Sequence, residues 1–526
     1  MAELSGTWRP AGTAVPLAEC AVLLGPADDV AVATRDLPAG LSIGTDAGEI
    51  VLPGGVPRGH KVALRPVPAG SAVLKYGQSI GLATMDIAAG DQVHGHNLAM
   101  AGAGRPAEFG APRRSRPEPP GSPGPVRTFP GYRRADGRVG TRNCIGVLAS
   151  VNCSASTARL IADQFRVDAL RAFPNVDGVV PLTHTGGCGL VSGSVGAQTL
   201  LRTLRGYARH PNLGGLLVVG LGCEMLPVQS VLEDLDLPAD TLVEVLTIQH
   251  TGGVRASVRA GAERVRRMLP ELEARRRQPV PVADLVLGLN CGGSDGYSGI
   301  TANPALGIAS DLLVEAGGTS ILGETPEVFG AEHLLTRRAV DATVGRRLLD
   351  RLDWWREYAL AGGGSLDNNP SPGNKAGGLT TILEKSLGAV AKAGRADLTA
   401  VYEYAEPVTE RGLVFMDTPG YDPVSVTGIV AGGATVVCFT TGRGSVLGCR
   451  PTPCLKLATS TELYHRMSED LDLNCGGIVD GTASLAQTGR EIFERIIAVA
   501  SGERTVSEDL DLGQDEFVPW PIGTVT

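Results

Sequence analysis

Four short strings place a cysteine just after an apolar run. SVNCSAS carries Cys153, THTGGCG carries His184 and Cys188, GLGCE carries Cys223 and Glu224, and LNCGGSDG carries Cys291, Ser294 and Asp295. Thiolates are soft ligands suited to iron, iron–sulfur clusters or zinc, although a small thiol beside glycine can also simply fit a tight turn. No C-x-x-C pair occurs in the chain, which argues against a zinc ribbon or a thioredoxin-like redox pair. Such widely spaced cysteines suit a metal site assembled by several strands, with Cys153, Cys188, Cys223 and Cys291 as its expected ligands.

Two further loops combine glycines with anion-binding groups. NNPSPGNKAGG, with Asn374 and Lys375, precedes a helical stretch, so loop amides, a helix start and a lysine could hold an anionic oxygen. FTTGRGSVLG sets Thr441 and Arg443 after a strand. It has the composition of a carboxylate or phosphate clamp, but Walker A, G-x-x-x-x-G-K-[ST], is absent, so nucleotide binding has no support. The chain has eight histidines, and His60 (GHK) and His94 and His96 (VHGHN) fall close together in sequence near the N-terminus. On an extended segment His94 and His96 point to the same face, a spacing fit for a shared metal or a substrate carboxylate.

The elements that must position these groups differ along the chain. Residues 1–100 alternate short apolar runs with Pro-Ala-Gly and Ala-Ala-Gly turns, a small β-rich module. Residues 101–127 are Pro, Gly, Arg and Ser with almost no apolar content, which reads as a flexible linker. Thereafter apolar runs, glycine turns and helical periodicity alternate, as in parallel α/β layers. Residues 128–280 are expected to form a first α/β domain and 281–526 a second. Helical periodicity is clearest over 156–165, 258–277, 331–358 and 379–393. In open α/β sheets ligands collect outside the carboxyl ends of the strands, which is where the cysteine strings fall.

Composition narrows the class. At 526 residues, several domains are expected. A net charge of -9 and 4% aromatic residues match poorly with a nucleic-acid-binding surface. The start MAELSGTWRPAG has neither a basic nor an apolar signal region, and no stretch approaches the ~20 apolar residues that span a bilayer. A cytoplasmic protein is expected, with no nucleic-acid or membrane partner and with its ten cysteines reduced.

Together GYRRADGRVGTRN, GLGCE, CGGSDGYSGITANP, NPSPGNKAGG and FTTGRG resemble the altronate/galactarate dehydratases, and the resemblance runs over essentially the whole chain. It implies an N-terminal SAF-type (β-clip) domain, a linker and a two-part α/β catalytic region with mostly parallel, Rossmann-like sheets that usually dimerises. It also implies a hydro-lyase that converts an aldonate or aldarate to a 2-keto-3-deoxy acid, stimulated by iron; around the four cysteines that iron is expected as Fe2+ or, alternatively, as a [4Fe-4S] cluster. The His94-Gly-His96-Asn97 string is like that of the altronate enzymes and favours altronate over galactarate. A related branch eliminates sulfite from a sulfonated hydroxy acid, and a non-catalytic sugar-acid-binding protein is the alternative from another class.

For such a reaction the candidate bases are His184, Glu224, Asp295 and Lys375. Arg142, Lys375 and Arg443 are candidate carboxylate clamps, with Asn143, Ser294, Asn374 and Thr441 beside them. His60, His94 and His96 are expected to close over the substrate when the N-terminal module docks.

Overall fold

The computed structural model describes residues 14–100 and 126–523. The expected linker lies outside the described residues except for its last two positions. The N-terminal module is built from three small sheets: Val15–Pro16, Ser42–Thr45 and Gly48–Val51; Ala72–Lys75, Gln78–Ala83 and Leu98–Ala99; and Ala21–Val22, Val30–Ala33, Lys61–Ala63 and Gln92–Val93. Val30–Ala33 and Lys61–Ala63 are buried at every residue, because other sheets or the rest of the chain cover both of their faces.

The first α/β unit has four parallel strands: β1 (Cys144–Ala149), β2 (Gly178–Leu182), β3 (Leu213–Gly220) and β4 (Leu242–Thr247), in the order β2-β1-β3-β4. β1 is buried throughout, as expected of a parallel strand with helices on both faces. Ile145, Val147 and Ala149 pack with α1 (Asn152–Ala162) and α3 (Val254–Glu273), whereas Leu148 packs with α2 (Val195–Ala208) on the opposite face.

The second unit has seven parallel strands: β5 (Val286–Cys291), β6 (Thr319–Leu322), β7 (Leu398–Tyr402), β8 (Gly412–Met416), β9 (Val436–Thr441), β10 (Cys454–Ala458) and β11 (Leu473–Asn474). Their order is β7-β8-β6-β5-β9-β10-β11. Around the sheet lie α4 (Ala302–Glu315), α5 (Ala342–Ala361), α6 (Ile382–Val390), α7 (Asp422–Ala431) and α8 (Leu485–Ala500). The single helix expected over 331–358 is in fact broken: Asp341 caps a new helix, its Oδ1 accepting from Thr343 N and Val344 N at 2.7 and 2.9 Å.

Chain order reverses between β1 and β3 in the first sheet and between β5 and β9 in the second. A crevice opens outside the strand ends at each such point. Among the described residues no helix is long and apolar enough to cross a membrane, and all ten cysteines are free thiols.

Candidate functional site

The ends of β5 and β9 are stapled by the glycine string that follows β5. Gly292 N donates to Thr440 O at 3.1 Å, and Gly293 O accepts from Gly442 N at 3.1 Å and from Arg443 N at 2.7 Å. Thr441 is fully buried and its Oγ1 accepts from Gly444 N, so it shapes the Arg443 loop. Asp295 is buried and saturated. Its Oδ1 accepts from Tyr297 N, Ser298 N and Ser298 Oγ, and its Oδ2 accepts from Thr459 Oγ1. Burial pushes its carboxyl above the ordinary value although these donors oppose the shift. Asp295 is therefore fitted to hold the loop.

Asn374 anchors the neighbouring loop: its Nδ2 donates to Ser294 O at 2.8 Å, and its Oδ1 accepts from Ser371 N in a capping box. This sets Lys375 and Arg443, both exposed, on adjoining loops. A Cβ at Gly377 would lie 3.2 Å from Arg443 Cδ.

The N-terminal module sits on this loop. His94 Nε2 is 2.9 Å from Lys375 O, and His60 Nε2 is 3.3 Å from Ala376 O. Carbonyls only accept, so each Nε2 carries the proton. The two rings stack at 5.1 Å, and Gln92 Nε2 donates to His60 Nδ1. Burial lowers the affinity of both imidazoles for a second proton. His96 is exposed.

The docking is close. A Cβ at Gly296 or Gly378 would fall 2.0 or 2.3 Å from Gly59 O, so only glycine lets these backbones meet. Below them Lys61 and Lys75 reach Glu384 at 2.9 and 2.8 Å, all three side chains being buried. Lys61 also donates to Gly378 O.

Beside the glycine string lies a second, wholly buried group of charges. Lys392 Nζ lies 2.7 Å from Cys291 Sγ and 2.6 Å from Glu324 Oε2. Cys291 Sγ is 3.5 Å from Glu324 Oε2 and 3.7 Å from Glu327 Oε2. Lys385 Nζ donates to Glu327 Oε1 at 2.6 Å and to Asn369 Oδ1 at 3.0 Å. At the rim, a Cβ on Gly292 would lie 2.1 Å from Asp422 Oδ2, so the carboxylate rests on bare backbone. Burial first, then Glu324 and Glu327, push the Asp422 carboxyl up to about 7. Sequence reasoning missed Glu324, Glu327, Lys385, Lys392 and Asp422.

The structure corrects several expectations. Arg142 is not a clamp: its guanidinium is buried, paired with both oxygens of Glu508, and donates to the carbonyls of Thr141, Val499 and Glu503. Asn143 is likewise spent inside the first unit, on Arg134, Asn175 O and Leu272 O. His184 is not free to act as a base, because Nε2 meets Ala149 O and Nδ1 accepts from Gly186 N, and burial takes it down to about 4. Glu224 accepts from Ser150 Oγ and Gly222 N, bridging the β1/β3 crevice.

The four cysteines are also split between the two sheets. Cys153, Cys188 and Cys223 are exposed just beyond β1, β2 and β3, whereas Cys291 is buried at the end of β5 with the Lys392 ammonium on its sulfur. A four-thiol centre does not fit this arrangement. Among the described residues, the one group of three or more His, Cys, Asp or Glu donors lying within 4.8 Å of one another is Cys291, Glu324 and Glu327.

A β-rich module is seated over the strand-end crevice of a parallel sheet, with Lys375, Arg443 and the imidazoles of His60 and His94 around it. Family models match the chain in three consecutive parts. These are the altronate/galactarate dehydratase SAF domain over residues 19–101, the D-galactarate dehydratase/altronate hydrolase second domain over 131–273, and the D-galactarate/altronate dehydratase C-terminal region over 282–525. The chain belongs to the galactarate/altronate dehydratase family. It is 39% identical to galactarate dehydratase (L-threo-forming) of Escherichia coli, covering 92% of this chain and 93% of that protein. It is 37% identical to altronate dehydratase of Escherichia coli, covering 92% and 96%. It is 32% identical to the (2R)-sulfolactate sulfo-lyase subunit beta of Chromohalobacter salexigens, covering 74% and 97%.

Proposed function

We propose that this protein removes water from a sugar acid, an aldonate of the altronate type in preference to galactarate, to give a 2-keto-3-deoxy acid with the assistance of iron. The reading is carried by one observation, the seating of His60 and His94 on the Lys375–Ala376 backbone beside Arg443, at the β5/β9 crevice. The preference for altronate rests on the His94-Gly-His96-Asn97 string, since the identities to the two kinds of relative are nearly equal.

The elimination takes a proton from the carbon beside a carboxylate and releases hydroxide from the next carbon. Arg443 and Lys375 hold the carboxylate, Arg443 by a two-pronged hydrogen bond and Lys375 as a point charge. His94 takes the proton on Nδ1: burial keeps the ring neutral, and its Nε2–H is committed to Lys375 O. His60 braces it from behind, and His96 closes the open side.

Cys291, Glu324 and Glu327 present a thiol and two carboxylates, a donor set that fits an iron(II) ion. When bound, the ion supplies a Lewis acid for the leaving hydroxyl. A [4Fe-4S] cluster is the second reading, favoured by three exposed thiols at the ends of three neighbouring strands; stoichiometric acid-labile sulfide in anaerobically purified protein is its signature. The protein acts as a cytoplasmic homodimer on a small-molecule substrate.

The test is an anaerobic screen of aldonates, aldarates and short hydroxy acids with ferrous iron, scored for 2-keto acid. Turnover of altronate above galactarate is expected. Release of sulfite from a sulfonated hydroxy acid, or binding without turnover, overturns the reading.

A further inference from the structure

The buried group at the ends of β5 and β6 leaves one carboxylate oxygen without a partner. Cys291, Glu324 and Glu327 are in contact with Lys385 and Lys392. Glu324 is 1% exposed, yet its Oε1 has no hydrogen-bond partner, while its Oε2 meets Lys392, Cys291 Sγ and Cys291 N. A buried carboxylate oxygen left unpaired costs free energy that an incoming cation would recover. Glu324 is also held at φ +66°, an unfavourable conformation for a side chain of this kind.

We infer that Cys291, Glu324 and Glu327 form a binding site for one divalent first-row transition ion, next to the Gly292–Gly293 turn at the end of β5. The mixed sulfur and oxygen donors select iron(II), cobalt(II) or zinc(II) over magnesium or calcium, which take oxygen alone. Lys392 lies on the sulfur the ion needs, so it is the competitor that the ion displaces; Lys385 remains on Glu327 and Asn369. The inference rests on the iron-assisted reading above and deepens it by naming the ammonium that the ion displaces, and it is tested without substrate.

The full-length, reduced, metal-free protein is titrated anaerobically with Co2+, following the thiolate-to-cobalt charge-transfer absorption in the near ultraviolet. Saturation at one ion per chain is expected. The band should survive in the C153S/C188S/C223S variant and vanish in C291S. E324Q should weaken binding at least tenfold, and K392M should tighten it. A band that persists in C291S and disappears in the triple variant would assign the metal to the exposed thiols and overturn the inference, as would the absence of any saturable band in the wild type. Either failure leaves the sugar-acid reading standing, because that reading falls only on the turnover screen.

Discussion

Glu384→Gln keeps the side-chain shape and removes the single anion between two buried ammonium groups, Lys61 at 2.9 Å and Lys75 at 2.8 Å. Breaking a buried pair by deleting one partner costs about 3–5 kcal/mol, because the other charge stays behind without compensation. Here two cations are stranded, and the carboxylate also serves Thr380 N and Thr380 Oγ1, so a loss near the upper figure is expected. Replacing all three, as K61M/K75M/E384L, removes the charges with their desolvation cost and is expected to stay within about 2 kcal/mol of wild type. Urea unfolding measures both, and limited proteolysis under native conditions shows whether the N-terminal module is released.

The pH dependence of this pair has a defined sign. Burial alone would raise the Glu384 carboxyl, but Lys61 and Lys75 hold it well below the ordinary carboxylate range. Its stabilisation is therefore complete above the unfolded value of about 4.3 and is lost only as pH falls through the lower folded value. The gap between wild type and E384Q should stay level from about pH 7 to about pH 5, below the value of about 8 to which burial lowers Lys61, and close in stronger acid. A Glu384→Gln protein within about 0.5 kcal/mol of wild type at neutral pH, the range of an ordinary surface change, refutes the argument.

Arg443→Ala is expected to lower kcat/KM by about a hundredfold or more at unchanged melting temperature, the loss of roughly 3 kcal/mol of charge-assisted hydrogen bonding. Arg142→Ala should do the reverse, destabilising the fold through the stranded Glu508 while leaving KM alone; steady-state kinetics beside thermal melts separates the two. In the metal-free protein Asp422→Asn should raise the melting temperature at pH 8 and not at pH 4. The folded carboxyl titrates at about 7 against about 3.9 unfolded, so its contribution is full below the lower value and is lost as pH rises through the higher. For His94 as base, kcat/KM should be flat through neutral pH and fall only in acid below the ordinary imidazole value of about 6.5, because burial lowers the ring's affinity for a second proton, and His94→Asn should abolish turnover while the protein still melts as wild type.

Much of the site was legible because backbone-shaped loops announce themselves. The strings around Ser294, Asn374, Thr441, Arg443 and His94 are rich in Gly, Pro and Asn, and these loops meet at one crevice. The buried charges were not legible, because they lie on elements that read as core. All nine residues of α6 are buried, Glu384 and Lys385 included, so its apolar pattern hid the charges. A signal was present: Lys385 and Lys392 are seven apart, one face of a helix two turns on, and charges set in so apolar a run need buried partners. Arg142 and His184 misled for the opposite reason, since residue type alone does not reveal that every donor is already spent. β7 and β10 went unrecognised because short runs such as LTAVY and CLKLA carry no period that separates strand from helix.

The triad of Lys61, Lys75 and Glu384, with Gly59 pressed on Gly296 and Gly378, grips the N-terminal module through its own surface. Covalent continuity then contributes only effective concentration. Two separately made polypeptides, one bearing the imidazoles and the other the cationic floor, carry all the information needed to find each other, and the gene could be split between them at no loss beyond dilution.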